Sequence, residues 1–129
     1  AAWLVLQHSL LDPLLMMRAL PLLEVAVRGD EAPPSQMAYL ADRIRTLQGQ
    51  PQLYGTQHDW DDIGQMSPLP IDDAAGVEAR RSALGMETLV AHTARLREQV
   101  ARERAAPPAD LAAYRREAHE WARSLGWRK

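Results

Sequence analysis

The sequence predicts an all-α domain of five or six helices with one irregular lobe between the third and fourth helices. Three observations lead to that fold class. Ala and Leu, both strong helix formers, dominate the apolar residues, while β-branched residues are sparse. Apolar side chains recur at three- and four-residue spacing over most of the chain. Gly and Pro, the usual helix breakers, fall mainly between those stretches. With 129 residues, 47% hydrophobic and without cysteine, the chain is long enough to bury a core unaided by disulfides.

In chain order, AAWLVLQHS from Ala1 to Ser9 reads as a short apolar helix buried on most sides. Asp12 before Pro13 is an N-cap with proline in the first helical position, and Gly29 ends the second helix. Pro21 inside it should kink or split it. Past the prolines between Glu31 and Gln36, Met37, Leu40, Ile44 and Leu47 line one face of a third helix that ends at Gly49, with Asp42, Arg43 and Arg45 opposite.

From Gly49 to Asp73 the helical pattern stops. A stretch this long in a compact domain is either functional or disordered. Leu53, Tyr54, Ile63, Met66, Leu69 and Ile71 argue for packing, so the expected form is an ordered lobe with a short β-hairpin pairing 53–56 against 68–71. Asp72 or Asp73 then caps a fourth helix through Val77, Arg80, Arg81 and Leu84, stopped by Gly85. Met86 begins a longer helix with Leu89, Val90, Leu96 and Val100 on its inner face. Pro107 and Pro108 break the chain, and a last helix from Ala109 to Leu125 aligns Leu111, Tyr114, Ala118, Trp121 and Leu125. Residues 1–105 are thus expected to form the helical domain and 106–129 a helical extension packed on it.

Composition narrows the chemistry. A net charge of -2, from 15 basic and 17 acidic residues, gives no overall field toward nucleic acid or an anionic membrane, and neither is an expected partner. Lys129 is the single lysine, which argues against Schiff-base catalysis, and the lack of cysteine removes thiolate nucleophiles and cysteine zinc sites. His8, Asp12, Arg18 and Glu24, with two prolines, interrupt the apolar N-terminal region, so neither a membrane span nor a signal peptide is expected in it. A cytoplasmic location is the expectation. His58-Asp-Trp-Asp-Asp62 resembles a calcium loop in part, but Ile63 and Pro70 occupy positions where ligands are needed, so a solvated acidic turn is expected and no metal. Without a Gly-rich phosphate loop, a Gly-x-Ser-x-Gly elbow or a His-Glu-x-x-His pair, no cofactor is expected either.

Four groups of residues carry candidate chemistry. Gln7 and His8 lie near Asp12, and an imidazole there can act as acid or base; the competing reading is a buried histidine at a helix end. Asp42 and Arg43 are helix neighbours pointing about 100° apart, so each must find its partner elsewhere. The Arg43 fork suits a carboxylate or phosphate, although surface salt bridging is the commoner fate. Gln52-Leu-Tyr-Gly-Thr-Gln57 supplies amide and hydroxyl groups that could line a polar site or make structural hydrogen bonds along an edge strand. Arg80 and Arg81 could reach Asp72, Asp42 or an anionic ligand, or lie exposed near a helix C-terminus.

Together, Trp3…Gln7-His8…Asp12-Pro13, Leu40-Ala-Asp42-Arg43, Gly49-x-x-Gln52-x-Tyr54-Gly-Thr-Gln57, Pro70-Ile-x-Asp73 and Val77-x-x-Arg80-Arg81-x-x-x-Gly85 resemble a bacterial family of unknown function with a Gln-His, Asp-Arg, Tyr-Gly-Thr-Gln and Arg-Arg signature. The resemblance runs from about Trp3 to Leu89 and implies a small, mainly helical domain. It singles out His8, Asp42, Arg43, Gln52, Tyr54, Thr56, Gln57, Arg80 and Arg81.

The functional expectation is a small enzyme or enzyme subunit acting on a polar, anionic small molecule. His8 would serve as acid or base and Asp42 would orient it, while Gln7, Arg43, Gln52, Tyr54, Thr56, Gln57, Arg80 and Arg81 would hold the substrate. The alternative is a non-catalytic partner subunit or interaction module. An exposed Trp127 and the Arg/Glu-rich helix would then form a docking surface, and a partner chain could complete the site.

Overall fold

Asp12 and Pro13 start a helix as the sequence predicts: the Asp12 carboxylate accepts the Leu15 N–H at 3.0 Å. The computed structural model describes residues 9–129, so the expected first helix, with Gln7 and His8, lies outside the described residues. Among the described residues there are five α-helices: α1 Pro13–Arg28, α2 Pro34–Leu47, α3 Val77–Ala83, α4 Leu89–Arg102 and α5 Leu111–Ser124. One antiparallel pair of strands, β1 His58–Trp60 and β2 Met66–Pro68, lies between α2 and α3. The fold is therefore mostly helical with a hairpin-bearing lobe, and no described helix is long and apolar enough to cross a membrane.

Pro21 does not split α1, which runs unbroken from Pro13 to Arg28. Proline removes the bond to the Met17 carbonyl. Buried Met16 and Ala19 before it, with Leu20 and Leu23 on either side, are held in one core cluster, and that packing outweighs the lost bond. The cluster is completed by Leu40 and Ile44 of α2, Ala122 of α5 and Trp127 just beyond it. Trp127 is 5% exposed and its indole N–H donates to the Leu10 carbonyl at 2.9 Å, which overturns the expectation of an exposed docking residue. Arg128 then ties the C-terminus to α2 by donating to the Thr46 and Leu47 carbonyls, groups that a helix end leaves unpaired.

Three local expectations are corrected. The hairpin pairs His58 with Pro68 and Trp60 with Met66, not 53–56 with 68–71; just before the expected strand, Gln52 makes an isolated parallel bridge to Ile71. Asp73 sits in a left-handed turn at φ 47° and makes no side-chain cap; a 3-10 turn, Ala74–Gly76, leads into α3, and the Asp73 carboxylate faces Arg80 at 3.6 Å. The α4 helix starts after Thr88, whose hydroxyl accepts the Ala91 N–H, and Val90 points outward at 78% exposure. Its inner face carries Leu89, His92, Thr93 and Leu96.

Candidate functional site

The segment from Gln52 to Gln57 runs between a buried anion on α2 and two cations on α3. The Asp42 side chain is fully buried, and its Oδ1 accepts the N–H groups of Leu53 at 2.8 Å and Tyr54 at 3.0 Å. Its Oδ2 accepts the Thr56 N–H at 3.0 Å and the Thr56 hydroxyl at 2.8 Å. The carbonyls of the same loop turn the other way: Arg80 Nε donates to Leu53 O at 2.7 Å and Arg81 Nη1 to Tyr54 O at 2.6 Å. A short stretch of backbone thus gives its donors to a carboxylate and its acceptors to guanidinium groups. Such charge-assisted bonds are how buried ionic groups are satisfied without touching one another.

Gln52, also fully buried, closes the loop at its base. Its Oε1 accepts the Gln57 N–H, and its Nε2 donates to the carbonyls of Gln57 and Leu69. Gly55 is required twice over: its φ is +67°, and a Cβ there would stand 2.8 Å from a Leu89 methyl. Arg81, 1% exposed, also donates Nε to Glu87 O at 2.7 Å, and Arg80 reaches Asp72 O at 2.7 Å. Asp42, Gln52, Thr56, Arg80 and Arg81 therefore come together around the 52–57 loop. Their hydrogen-bonding groups are directed at the protein's own backbone, which makes them positioning residues.

Around this clamp sit the side chains of Tyr54, Arg43 and Gln57. Tyr54 is half-buried; burial raises its phenol pKa and the Asp42 charge adds to that, against the opposing pull of Arg80. Arg43 is half-buried, and burial lowers its guanidinium below the ordinary value. Gln57 donates its amide N–H to the Thr56 hydroxyl at 3.0 Å.

Next to the loop, two histidines face each other with ring centroids 5.1 Å apart. His58 Nε2 lies 2.9 Å from the Thr93 hydroxyl, while its buried Nδ1 has no hydrogen-bond partner. Burial, the neighbouring His92 and, more weakly, Arg81 and Arg97 hold His58 down to about 4 against the pull of the Thr56 carbonyl. His92 is likewise lowered, chiefly by burial, with Glu87 opposing. His92 Nδ1 stands 3.3 Å from Glu87 Oε1, Glu87 is also bound by Arg95, and the edge of Tyr39 meets the His92 ring. Tyr39 and Arg43 are four residues apart and share a face of α2. Burial favours the neutral form of both imidazoles, and Glu87 stands where it can orient the His92 ring.

Sequence reasoning missed His92, Glu87 and Tyr39 as site candidates and considered His58 only with the acidic turn. One signal was present: His92 and Thr93 are polar residues on the apolar stripe of α4 between Leu89 and Leu96. The acids of the turn serve the hairpin and α5. Asp61 accepts from Ile63 N, Gln65 N and Ser67 Oγ, Asp59 accepts from the Tyr114 hydroxyl, and Asp62 pairs with Arg115. No group of three His, Asp or Glu among the described residues is arranged to hold a metal. A separate cleft of about 440 Å³ opens between the end of α2, the hairpin and α5, where Trp60, Tyr114, His119 and Arg128 are among its walls. None of the nominated residues lines it.

The profile of a family of unknown function (DUF6624) matches residues 1–103. The chain belongs to that family. No curated protein and no solved structure matches it. The DUF6624 match contains the Asp42 clamp and the His58–His92–Glu87 group, but it stops before α5, so Ala122 and Trp127 of the core lie beyond it.

Proposed function

We propose that this DUF6624 protein is a small cytoplasmic enzyme, or a subunit of one, that acts on a polar, anionic small molecule by histidine-centred acid–base chemistry. The observation that carries the reading is the pairing of His92 with Glu87 beside a second neutral imidazole, His58, whose Nδ1 is buried without a partner. A carboxylate that orients a neutral ring leaves its other nitrogen ready to take a proton. In this reading the clamped loop presents Tyr54 and Gln57, and the α2 face bearing Tyr39 and Arg43 supplies the positive charge for the substrate. His8, outside the described residues, remains the sequence's own nominee for the same role.

The test begins with thermal-shift titration of a panel of small carboxylates, phosphate esters and sulfate esters. Any binder is then followed for turnover by proton NMR. His92→Asn should lower the rate by roughly 10²- to 10⁴-fold, as loss of a general acid–base does, with the ligand-free melting temperature nearly unchanged. If His8→Ala abolishes turnover and His92→Asn does not, the catalytic imidazole is His8. A panel without a binder, or binding that perturbs only nuclei far from both histidines, overturns the reading.

A further inference from the structure

The cleft of about 440 Å³ between the end of α2, the hairpin and α5 is of a size that holds a small ligand. Asp59 and Arg128 both stand in its walls, half-buried, and among the described residues neither forms an ion pair. Arg128 gives one N–H each from Nε, Nη1 and Nη2 to Leu47 O, His119 Nδ1 and Thr46 O, all uncharged acceptors. A guanidinium carries five N–H groups, so two remain, and no carboxylate cancels the charge. Gly49 makes room for this arm: its φ is +77°, and a Cβ there would stand 3.3 Å from Arg128 Nε. At the other pole, Asp59 Oδ1 accepts the Trp60 N–H at 2.8 Å and the Tyr114 hydroxyl at 3.0 Å, while Oδ2 makes no hydrogen bond among the described residues. Half-buried charges without counter-ions are costly, which points to a ligand that answers both.

The remaining wall says what lies between the poles. Trp60, Tyr114, Leu69 and Pro70 supply aromatic and apolar lining, and the Tyr114 ring is fixed by its bond to Asp59. The Trp60 indole N–H has no hydrogen-bond partner among the described residues. On α5, Tyr114 bonds to the acid and His119 to the base. Those two residues are five apart, about 7.5 Å along the helix axis, the scale of one aromatic ring with a substituent at each end. Because His119 accepts from Arg128 through Nδ1, its neutral ring carries the proton on Nε2, a further donor for an anion. We propose that this cleft binds a small aromatic acid with a hydrogen-bond donor opposite its anionic group: the anion on Arg128 and His119, the donor on Asp59 Oδ2, the ring against Trp60 and Tyr114. None of His58, Glu87 and His92 lines the cleft, so the site is independent of the catalytic reading.

Heteronuclear NMR of the full chain tests it, with Trp60→Phe identifying the Trp60 indole signal and para-aminobenzoate, benzoate and adenosine monophosphate as probes. Para-aminobenzoate should bind and move that signal while the His92 ring signals stay in place. Benzoate, which lacks the donor, should bind about tenfold more weakly. Asp59→Asn keeps Oδ1 for Trp60 and Tyr114 and should erase that preference, and His119→Ala should weaken both ligands about tenfold. Adenosine monophosphate, an amino-bearing ring with a phosphate, binding with the same variant responses would support the proposal and assign the anion to a nucleotide. The benzoate comparison and the Trp60 shift are read on the wild type, so they decide even if a variant fails to fold. The proposal is overturned if neither para-aminobenzoate nor adenosine monophosphate binds, or if binding leaves the Trp60 indole signal unmoved. Benzoate binding as tightly as para-aminobenzoate overturns it too, as do variants that fold by circular dichroism and bind like the wild type.

Discussion

His58 concentrates the electrostatic cost of this fold in one side chain. Its Nδ1 is buried without a hydrogen-bond partner among the described residues, so a proton there adds charge in a desolvated place, a cost that the Thr56 carbonyl offsets only in part. The folded pKa of about 4 lies below the ordinary histidine value of 6.5. Between those values the unfolded chain binds a proton that the folded chain refuses. Stability from this group is therefore complete above pH 6.5 and is lost progressively as the pH falls toward 4. His92 is shifted the same way and adds to the loss. The carboxyls of Asp61 and Glu87 are held below their usual range, so their contributions fade only at lower pH, and the upper part of the window belongs to the histidines. Urea midpoints measured at about pH 7 and about pH 5 should differ in the wild type. His58→Gln, which keeps a donor for Thr93, should flatten that difference; an equally steep profile in the variant would show that burial of His58 is not its source.

The 52–57 loop is the element on which the site rests, and its stability depends on one carboxylate. Asp42→Asn keeps the size but turns an acceptor oxygen into an NH2 donor facing backbone N–H groups. Buried donors left unpaired cost about 1–3 kcal/mol each, so a loss of roughly 3 kcal/mol or more is expected, with a melting temperature lower by on the order of 10 °C. A shift of only a degree or two in differential scanning calorimetry would mean that water reaches these amides. The same loop explains what was legible in the sequence. The described helices could be read because apolar spacing and a capping residue such as Asp12 are local signals. Asp42, Gln52, Thr56, Arg80 and Arg81 could be picked out as a set, but polar residues that grip a ligand and polar residues that grip the chain itself look alike in sequence. The hairpin register was illegible because the backbone of Leu53 to Thr56 bonds to side chains on α2 and α3 instead of to a strand. The His92 partners lie outside its own helix, on Glu87, Tyr39 and His58, so only its place on an apolar stripe betrayed it.

At the scale of the whole molecule, the boundary of the family match and the boundary of the core do not coincide. The match ends at residue 103, yet Ala122 and Trp127 fill the same cluster as Met16, Leu40 and Ile44. A core built partly from the last 24 residues (106–129) should fail without them. Trp127→Ala is expected to cost about 3–5 kcal/mol, the range for removing a buried aromatic side chain, whereas Trp127→Phe should lose about 1 kcal/mol for the indole bond to Leu10 and a little packing. Since whole domains are stable by only about 5–15 kcal/mol, ending the chain at Ala105 removes the tryptophan, the Ala122 contact and the Arg128 cap on α2 together and should abolish cooperative unfolding. Near-ultraviolet circular dichroism during a thermal melt reads this directly, because fixed aromatic packing gives a signal that a loose helical state lacks. A 1–105 chain that melted sharply near the wild-type temperature would show that the matched segment closes its own core and that α5 only lies upon it.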